Sequence, residues 1–222
     1  MGLKIRRFGL ILRLENWNQI LCEFMKVEEP IVAYESLDQS QSYTYWDYLK
    51  WQFTERVELI RGKIFKMSPA PGTRHQSMVV SLVSRFAQLF QQQTCRVFVS
   101  PFDVRLPVPN STSESTVVQP DICVVCDASK LDERGCNGAP DLVVEIVSPH
   151  NARHDTVTKF QLYEASGVKE YWIVQPETKH IFIYSLENGR FIGQAPITEG
   201  QKIKSPLFAV LEMDVMGIFP AD

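Results

Sequence analysis

The stretch from Asp141 to Pro149, which reads DLVVEIVSP, constrains the fold more than any other part of the chain. It is aliphatic on both faces, which is typical of a strand covered above and below in the middle of a sheet. Glu145 interrupts this run. An ionised carboxylate there loses several kcal/mol of hydration unless it gains a counter-charge, a metal ion or dedicated hydrogen bonds. Pro149 ends the strand, so Glu145 is expected near its carboxyl end, where open α/β sheets usually hold their sites.

Length and composition predict one large domain after a short lead-in. A chain of 222 residues with 45% apolar composition can bury a sizeable core. Residues 1–42 are weakly informative, and residues 43–222 are predicted to form the domain. The apolar run FGLIL near the start is too short for a membrane span or a secretory signal. We therefore predict a cytoplasmic protein that does not associate with membranes.

Charge and cysteine content limit the kinds of partner. The net charge of -3 and the pI of about 5.9 give no basic signature, so a nucleic-acid partner would have to be held by a local patch or by metal ions. Five scattered cysteines argue against a disulfide framework and for a reducing compartment. Cys123 and Cys126 have CxxC spacing, but residues three apart on a strand point to opposite faces, so we predict buried packing cysteines.

A short helix and a hairpin are predicted before the main helix. Thr44 and Asp47 match a capping box ahead of an aromatic helix. The stretch 57–69 reads as two strands that turn at residues 61–62. Glu58 lies among the apolar residues of the first of these strands.

The main helix follows a break at Pro71 and Gly72. Thr73 and Gln76 match a second capping box. Apolar residues then recur at spacings of three and four, which predicts an inward stripe, and His75 falls on this stripe in the first turn.

The rest of the chain alternates strands with one further helix. Residues 96–106 and 117–125 are each predicted to form one strand, ahead of the strand of Glu145. A helix over 156–165, ended by Gly167, precedes three strands joined by hairpins. The order of helix, three strands, helix and strand favours an α/β (α+β) fold with a mixed central sheet flanked by helices.

Two acids occupy positions that packing would fill with valine or isoleucine. Asp121 and Glu145 lie on consecutive apolar strands, and if these strands are neighbours the two carboxylates can share a hard divalent cation. Mg²⁺ suits them, since it accepts one or two carboxylates and keeps several waters; Mn²⁺ is the alternative ion.

A lysine on the following helix could serve the same site. Asp155, Lys159 and Tyr163 are spaced four apart, so they line one helix face. An ammonium group can stabilise the charge of a pentacovalent phosphorus transition state or orient an attacking water. Asp155 and Tyr163 are expected to support the site from behind.

These motifs resemble the Uma-type family of endonucleases, which is assigned to the PD-(D/E)XK superfamily. The resemblance rests on QPDICVV, PDLVVEIVSP, the helix of Lys159 and EYWIV, and it extends over about residues 43–219. It implies a restriction-endonuclease-like core with an additional N-terminal helix and hairpin and C-terminal strands. It also implies a magnesium-dependent endonuclease whose substrate is DNA.

The resemblance assigns roles residue by residue. Asp121 matches the acid after proline, and Glu145 matches the second acid. Val147 stands where the superfamily has lysine, which implies that the lysine has moved to the helix as Lys159. Two further positions match the family and are expected to complete the site: Glu58 and His75.

Simpler interpretations of the same residues stay open. Asp121 could start a strand by accepting backbone hydrogen bonds, and Glu145 with Lys159 could be a structural ion pair without metal. The whole protein could then be an inactive nucleic-acid-binding or regulatory module that keeps the nuclease fold. Cleavage of both DNA strands with one active site per chain is simplest in a two-fold dimer, so a homodimer is a further expectation.

Overall fold

The computed structural model describes residues 34–53, 55–68, 71–110, 114–147 and 154–220, without the side chains of residues 154 and 155. In these segments the α-helices are α1 (Tyr45–Tyr48), α2 (Thr73–Phe90) and α3 (Phe160–Ser166). A π-helical turn, His154–Lys159, runs directly into α3. None of these helices has the length and apolar character needed to cross a membrane. The predicted lead-in of residues 1–42 lies mostly outside the described residues.

The strands of the described segments are numbered in chain order. They are β1 (Val57–Ile60), β2 (Lys63–Lys66), β3 (Arg96–Val99), β4 (Val104–Arg105), β5 (Val117–Val118), β6 (Ile122–Val125), β7 (Leu131–Asp132), β8 (Gly135–Asn137), β9 (Leu142–Ile146), β10 (Glu170–Gln175), β11 (His180–Glu187), β12 (Arg190–Gly193), β13 (Ile197–Thr198), β14 (Lys202–Lys204) and β15 (Glu212–Asp214).

The central sheet has the strand order β12-β11-β10-β9-β6-β3, with β13 beside β11. Strands β9 and β10 are parallel, and the other neighbours are antiparallel, so the sheet is mixed as predicted. The chain order α2, β3, β6, β9, α3, β10 is the predicted order of the core. Because β9 lies between β6 and β10, the strand that carries Glu145 is interior to the sheet.

Helix α2 covers one face of the central sheet. Its apolar stripe is buried against alternate residues of β6, β9 and β10, and the Phe86 ring meets Trp172 edge-on at 5.5 Å between centroids. Fully burying one such large apolar side chain contributes about 1.5–3 kcal/mol. The stripe follows the predicted spacing, and its buried members are Met78, Leu82, Phe86 and Phe90.

The opposite face of the central sheet packs against α3 and a second sheet. This second sheet has the order β2-β1-β5-β4-β8-β7. In β1 the residues alternate, as a pleated strand requires. Val57 and Leu59 pack with α1, whereas Ile60 packs toward the central sheet. Glu58, on the face of Ile60, is therefore directed into the space between the two sheets.

Two stretches that we predicted as single strands are each divided between the sheets. Residues 96–106 form β3 in the central sheet and β4 in the second, and residues 117–125 form β5 and β6 in the same way. Proline explains both divisions, since Pro101 and Pro120 have no N–H to continue a ladder. Asp121 consequently lies at the bend before β6, not inside a strand.

The two predicted capping boxes have different outcomes. Thr44 caps α1 reciprocally with Asp47, as predicted, because each side chain accepts a hydrogen bond from the other residue's backbone. The prediction for α2 is wrong. Thr73 is the first helical residue, and the N-cap is Gly72, which has no side chain to accept a hydrogen bond.

The cysteine prediction is wrong for Cys126, which forms a disulfide with Cys95. The antiparallel pairing of β3 with β6 aligns Arg96 with Val125, so residues 95 and 126 occupy the next opposing positions. Sequence spacing hid this pair because the partner of Cys126 is 31 residues away. Cys123 is buried and free, as predicted, and burial raises the pKa of its thiol.

Candidate active site

Asp121, at the bend before β6, and Glu145, on the adjacent strand β9, lie at the same rim of the central sheet. The pairing of β6 with β9 aligns Ile122 with Val144, and one further step in this register places residue 121 opposite residue 145. The backbone N–H of Ile146 donates a hydrogen bond to Asp121 Oδ2 at 2.8 Å. The Asp121 side chain is 21% exposed, whereas Glu145 is 5% exposed, so the site reaches from solvent into the core.

Lys159 brings a buried positive charge between two carboxylates. Its Nζ lies 2.9 Å from Glu145 Oε1 and 3.0 Å from Glu58 Oε1, and all three side chains are at most 5% exposed. Removing charges from water costs several kcal/mol per ion, and close opposite charges with additional hydrogen bonds offset this cost. The structure therefore joins Glu58, which lies on the second sheet, to the acid of the central sheet.

Tyr163 lies one helical turn beyond Lys159 and contacts the same carboxylate. Its hydroxyl donates a hydrogen bond to Glu145 Oε1 at 2.7 Å. Burial, followed by the charges of Glu145 and Glu58, holds the pKa of this phenol well above its usual value of 10.0. The hydroxyl thus stays a donor, and it fixes the orientation of Glu145 from behind, as expected for this helix face.

His75 lies in the first turn of α2 and reaches the rim of the sheet. Its Nε2 is 3.1 Å from Asp121 Oδ2, and the ring is 16% exposed. A ring nitrogen at this distance can hold the carboxylate in a fixed orientation. The side chain of Asp155, the remaining predicted site residue, lies outside the described residues.

Sequence reasoning missed Gln119, which contacts the site through its backbone. The N–H of Gln119 donates a hydrogen bond to Glu58 Oε1 at 3.0 Å. No residue-type signal could have identified this contact, since any residue except proline supplies a backbone donor. The neighbouring Pro120 was the one cue in the sequence, since a proline interrupts the strand there.

The donor set suits a cation that takes few protein ligands. Among the described residues, no group of three or more His, Cys, Asp and Glu side chains is arranged to hold a metal ion. Mg²⁺ is commonly bound by one or two carboxylates, with waters and substrate phosphates completing its coordination. Asp121 and Glu145 at one partly exposed rim fit this requirement.

The fold is that of restriction-endonuclease-like nucleases. It is similar to the crystal structure from Anabaena variabilis ATCC 29413 of a protein described as "a putative nuclease belonging to DUF820". The TM-score is 0.64 at 23% identity, over 80% of this chain and 97% of that chain. This likeness supports the predicted mixed sheet and its flanking helices.

Sequence comparison gives the family. Residues 46–216 match the model of the Uma2 family, described as "Putative restriction endonuclease", and the chain belongs to this family. The matched segment contains every site residue described above. The chain is also 27% identical over 142 residues to "Uncharacterized protein slr1290" of Synechocystis sp. (strain ATCC 27184 / PCC 6803 / Kazusa), covering 62% of this chain and 71% of that protein.

Proposed function

We propose that this protein is a metal-dependent endonuclease that hydrolyses phosphodiester bonds in DNA. The observation that carries the proposal is the buried ammonium of Lys159, held 2.9 Å from Glu145 Oε1 at the rim where Asp121 lies. Family membership and the nuclease-like fold support hydrolysis of a nucleic acid. The metal requirement and the DNA substrate are parts of the proposal.

Asp121 and Glu145 are the residues that would hold Mg²⁺ or Mn²⁺. An ion bound there supplies Lewis-acid activation of a water and of a phosphate oxygen. The chain's own contribution is orientation and charge. Tyr163 holds Glu145, and His75 holds Asp121.

Lys159 supplies the positive charge nearest the reacting phosphate. Its ammonium can stabilise the negative charge that develops on phosphorus, or orient the attacking water. Burial strengthens this interaction, because the local dielectric is lower than that of water. The contact with Glu58 fixes the amine, so little reorganisation is needed when the substrate binds.

Cleavage of DNA by purified protein tests the proposal. We expect nicking or cutting of supercoiled, linear or single-stranded DNA with Mg²⁺ or Mn²⁺ and none in EDTA. Glu145→Gln and Asp121→Asn should each lower the rate at least about 100-fold. Glu212→Gln, at an exposed strand, is the matched control and should keep full activity. Absence of any metal-dependent cleavage by the wild type would contradict the proposal.

The buried ion pairs also favour a second candidate, a nucleic-acid-binding or regulatory module without turnover. Lys159 is already paired with two carboxylates, and such networks occur as structural features of inactive sites. Calorimetry separates the two candidates. Binding of Mn²⁺ that disappears in Asp121→Asn supports the enzyme, and no heat at millimolar metal supports the module.

A further inference from the structure

The candidate site has more negative than positive charge. The carboxylates of Glu58 and Glu145 share one buried ammonium, that of Lys159, and a third carboxylate, that of Asp121, lies at the same rim beside His75. A phosphodiester strand is itself negative and is repelled by such a cluster. Positive charge at the mouth of the site would offset this repulsion, and protein contacts to nucleic acids rely on Lys and Arg for this purpose.

Arg56 is placed to supply that charge. It directly precedes β1, and its carbonyl oxygen accepts a hydrogen bond from the N–H of Met67 at 2.9 Å, so its backbone continues the hairpin ladder. Strand alternation puts Arg56 on the same face as Glu58. Glu58 is buried, whereas Arg56 is exposed, so the guanidinium lies outward of the carboxylate.

Neutral oxygens orient the guanidinium. Arg56 Nη2 donates to Ser100 Oγ at 2.5 Å and to Gln119 Oε1 at 2.5 Å, and Nε donates to Gln119 Oε1 at 3.2 Å. Because these acceptors carry no formal charge, they fix the direction of the fork without neutralising it.

Gln119 is itself held from the other side. Its Nε2 donates to Asp103 Oδ1 at 2.7 Å and to the Tyr48 hydroxyl at 3.1 Å. An amide held at both ends cannot rotate freely, so the acceptor that it offers to Arg56 has a fixed position.

Both partners of the guanidinium also contact residues of the candidate site. The Gln119 N–H donates to the Glu58 carboxylate at 3.0 Å, and the Ser100 N–H donates to the Asp121 carbonyl oxygen at 3.2 Å. The guanidinium is therefore linked through one residue to the Glu58 carboxylate and through one residue to the backbone of Asp121. The same short segments build the acidic site and hold this exposed charge.

We propose that Arg56 forms a phosphate-binding subsite for the substrate strand, which contacts a phosphate next to the one that is cleaved, and that Gln119 and Ser100 are positioning residues. The two N–H groups of Nη1, which the contacts to Gln119 and Ser100 do not use, remain to donate to phosphate oxygens, and a guanidinium is never deprotonated in proteins. The inference rests on the proposed function only in taking the ligand to be a nucleic-acid strand.

The salt dependence of DNA binding tests the subsite separately from catalysis. A fluorescent DNA duplex is titrated with protein in EDTA at several KCl concentrations, so no metal-dependent cleavage occurs. Each phosphate contact adds about 0.9 to the slope of log affinity against log salt. Arg56→Ala should lower that slope by about 1 and weaken binding roughly five- to tenfold near 0.1 M salt.

Three further variants separate charge from structure. Arg56→Lys should keep the slope, because the charge remains, and bind more weakly, because an ammonium lacks the planar guanidinium that Gln119 and Ser100 orient. Gln119→Ala should reduce affinity, since the guanidinium loses its orientation. Arg190→Ala is the matched control, because this arginine is 79% exposed and lies at the β11–β12 hairpin, beyond the opposite end of β10.

The salt slope and the cleavage assay together distinguish the subsite from the proposed catalysis. An unchanged slope in Arg56→Ala overturns the subsite, whether or not the wild type cuts DNA. A reduced slope in Arg56→Ala supports the subsite. If the wild type also binds DNA but never cuts it, the proposed catalysis is contradicted while the subsite stands. Absence of DNA binding by the wild type overturns both.

Discussion

Lys159 is the residue on which the arrangement of the site most depends, because its one ammonium is shared by Glu58 of the second sheet and Glu145 of the central sheet. Lys159→Met would leave both carboxylates buried without their counter-charge. Breaking a buried ion pair in this way costs about 3–5 kcal/mol. Urea denaturation should therefore show a loss of that size in the free energy of unfolding.

A double variant is the control for this prediction. Glu58→Gln in the Lys159→Met background removes one of the stranded charges, so it should recover part of the lost stability. A loss below about 1 kcal/mol in Lys159→Met would show that the pair is not buried as the structure has it.

The raised pKa of Tyr163 predicts how the stability of the folded protein depends on pH. In the folded protein its pKa is raised above 10.0, while the unfolded chain ionises near 10.0. Above pH 10 the unfolded state therefore binds fewer protons than the folded state, and stability falls as pH rises. Tyr163→Phe should lose about 1 kcal/mol at neutral pH, from the missing hydrogen bond to Glu145. Its stability should decline less steeply than that of the wild type above pH 10; equal slopes would contradict the assignment.

The acids and the lysine of this site could be predicted from sequence because a charged residue in an apolar strand has few structural explanations. Asp121 and Glu145 stood out against valine and isoleucine, helix spacing pointed to Lys159, and family resemblance then gave roles to Lys159 and Glu58. Gln119 and Arg56 could not be predicted. Their roles depend on hydrogen bonds between segments far apart in the chain, which no local pattern records.

A buried acid at the start of β10 adds a polar anchor to the apolar packing that holds the C-terminal tail against the central sheet. Glu170 accepts hydrogen bonds from Ser205 Oγ at 2.7 Å and from the Leu207 N–H at 2.9 Å through Oε2, and from Trp172 Nε1 at 2.5 Å through Oε1. Burial raises the pKa of this carboxyl, although all three donors lower it.

Glu170→Gln should loosen the tail, because the amide NH₂ that replaces one carboxylate oxygen is itself a donor and cannot accept the hydrogen bonds made there. We expect a loss of roughly 2 kcal/mol in the free energy of unfolding. Faster hydrogen exchange between residues 203 and 219 should accompany it. The same exchange profile in Glu170→Gln and wild type would contradict this anchor, and exposed Glu199→Gln is the control.

The pairing of β3 with β6 predicts which of the described cysteines are free thiols. Cys95 and Cys126 form a disulfide, whereas Cys123 and Cys136 are free. Alkylation of the denatured, unreduced protein should modify Cys123 and Cys136 at once, and Cys95 and Cys126 only after reduction. Cys95→Ser should cost about 4 kcal/mol by the loop-closure argument for two cysteines 31 residues apart in the sequence. Full alkylation without reduction would contradict the pairing.

Elements were predictable where periodicity is long, as in α2, and where a turn is marked, as at Arg61 and Gly62. Both residues of that turn have a positive φ, a backbone conformation that glycine adopts without steric cost at position 62. The division of residues 117–125 was not predictable from apolarity, because β5 and β6 are equally aliphatic. They are separate strands because β5 pairs in the second sheet, whose strands have two to four residues, whereas β6 pairs in the central sheet.

At the scale of the whole molecule, the predicted order of the core is confirmed and the second sheet was not foreseen. Its strands come from four separated segments, and strands of two residues, such as β4 and β7, have no detectable period. This sheet nevertheless contributes Glu58 to the candidate site, and the proposed phosphate-binding Arg56 directly precedes its strand β1. The one-domain organisation, the cytoplasmic location and the homodimer stay predictions, and light scattering of the purified protein measures the last of these.

The most direct test of the account is a crystal soaked with Mn²⁺ and measured for anomalous scattering. We expect one strong anomalous peak between the carboxylates of Asp121 and Glu145, within about 2.0–2.3 Å of an oxygen of each. The peak should be absent from Asp121→Asn crystals soaked in the same way. The metal-dependent site would be contradicted by a fully occupied Mn²⁺ site elsewhere with no Mn²⁺ at this rim. It would also be contradicted by an empty rim at saturating Mn²⁺.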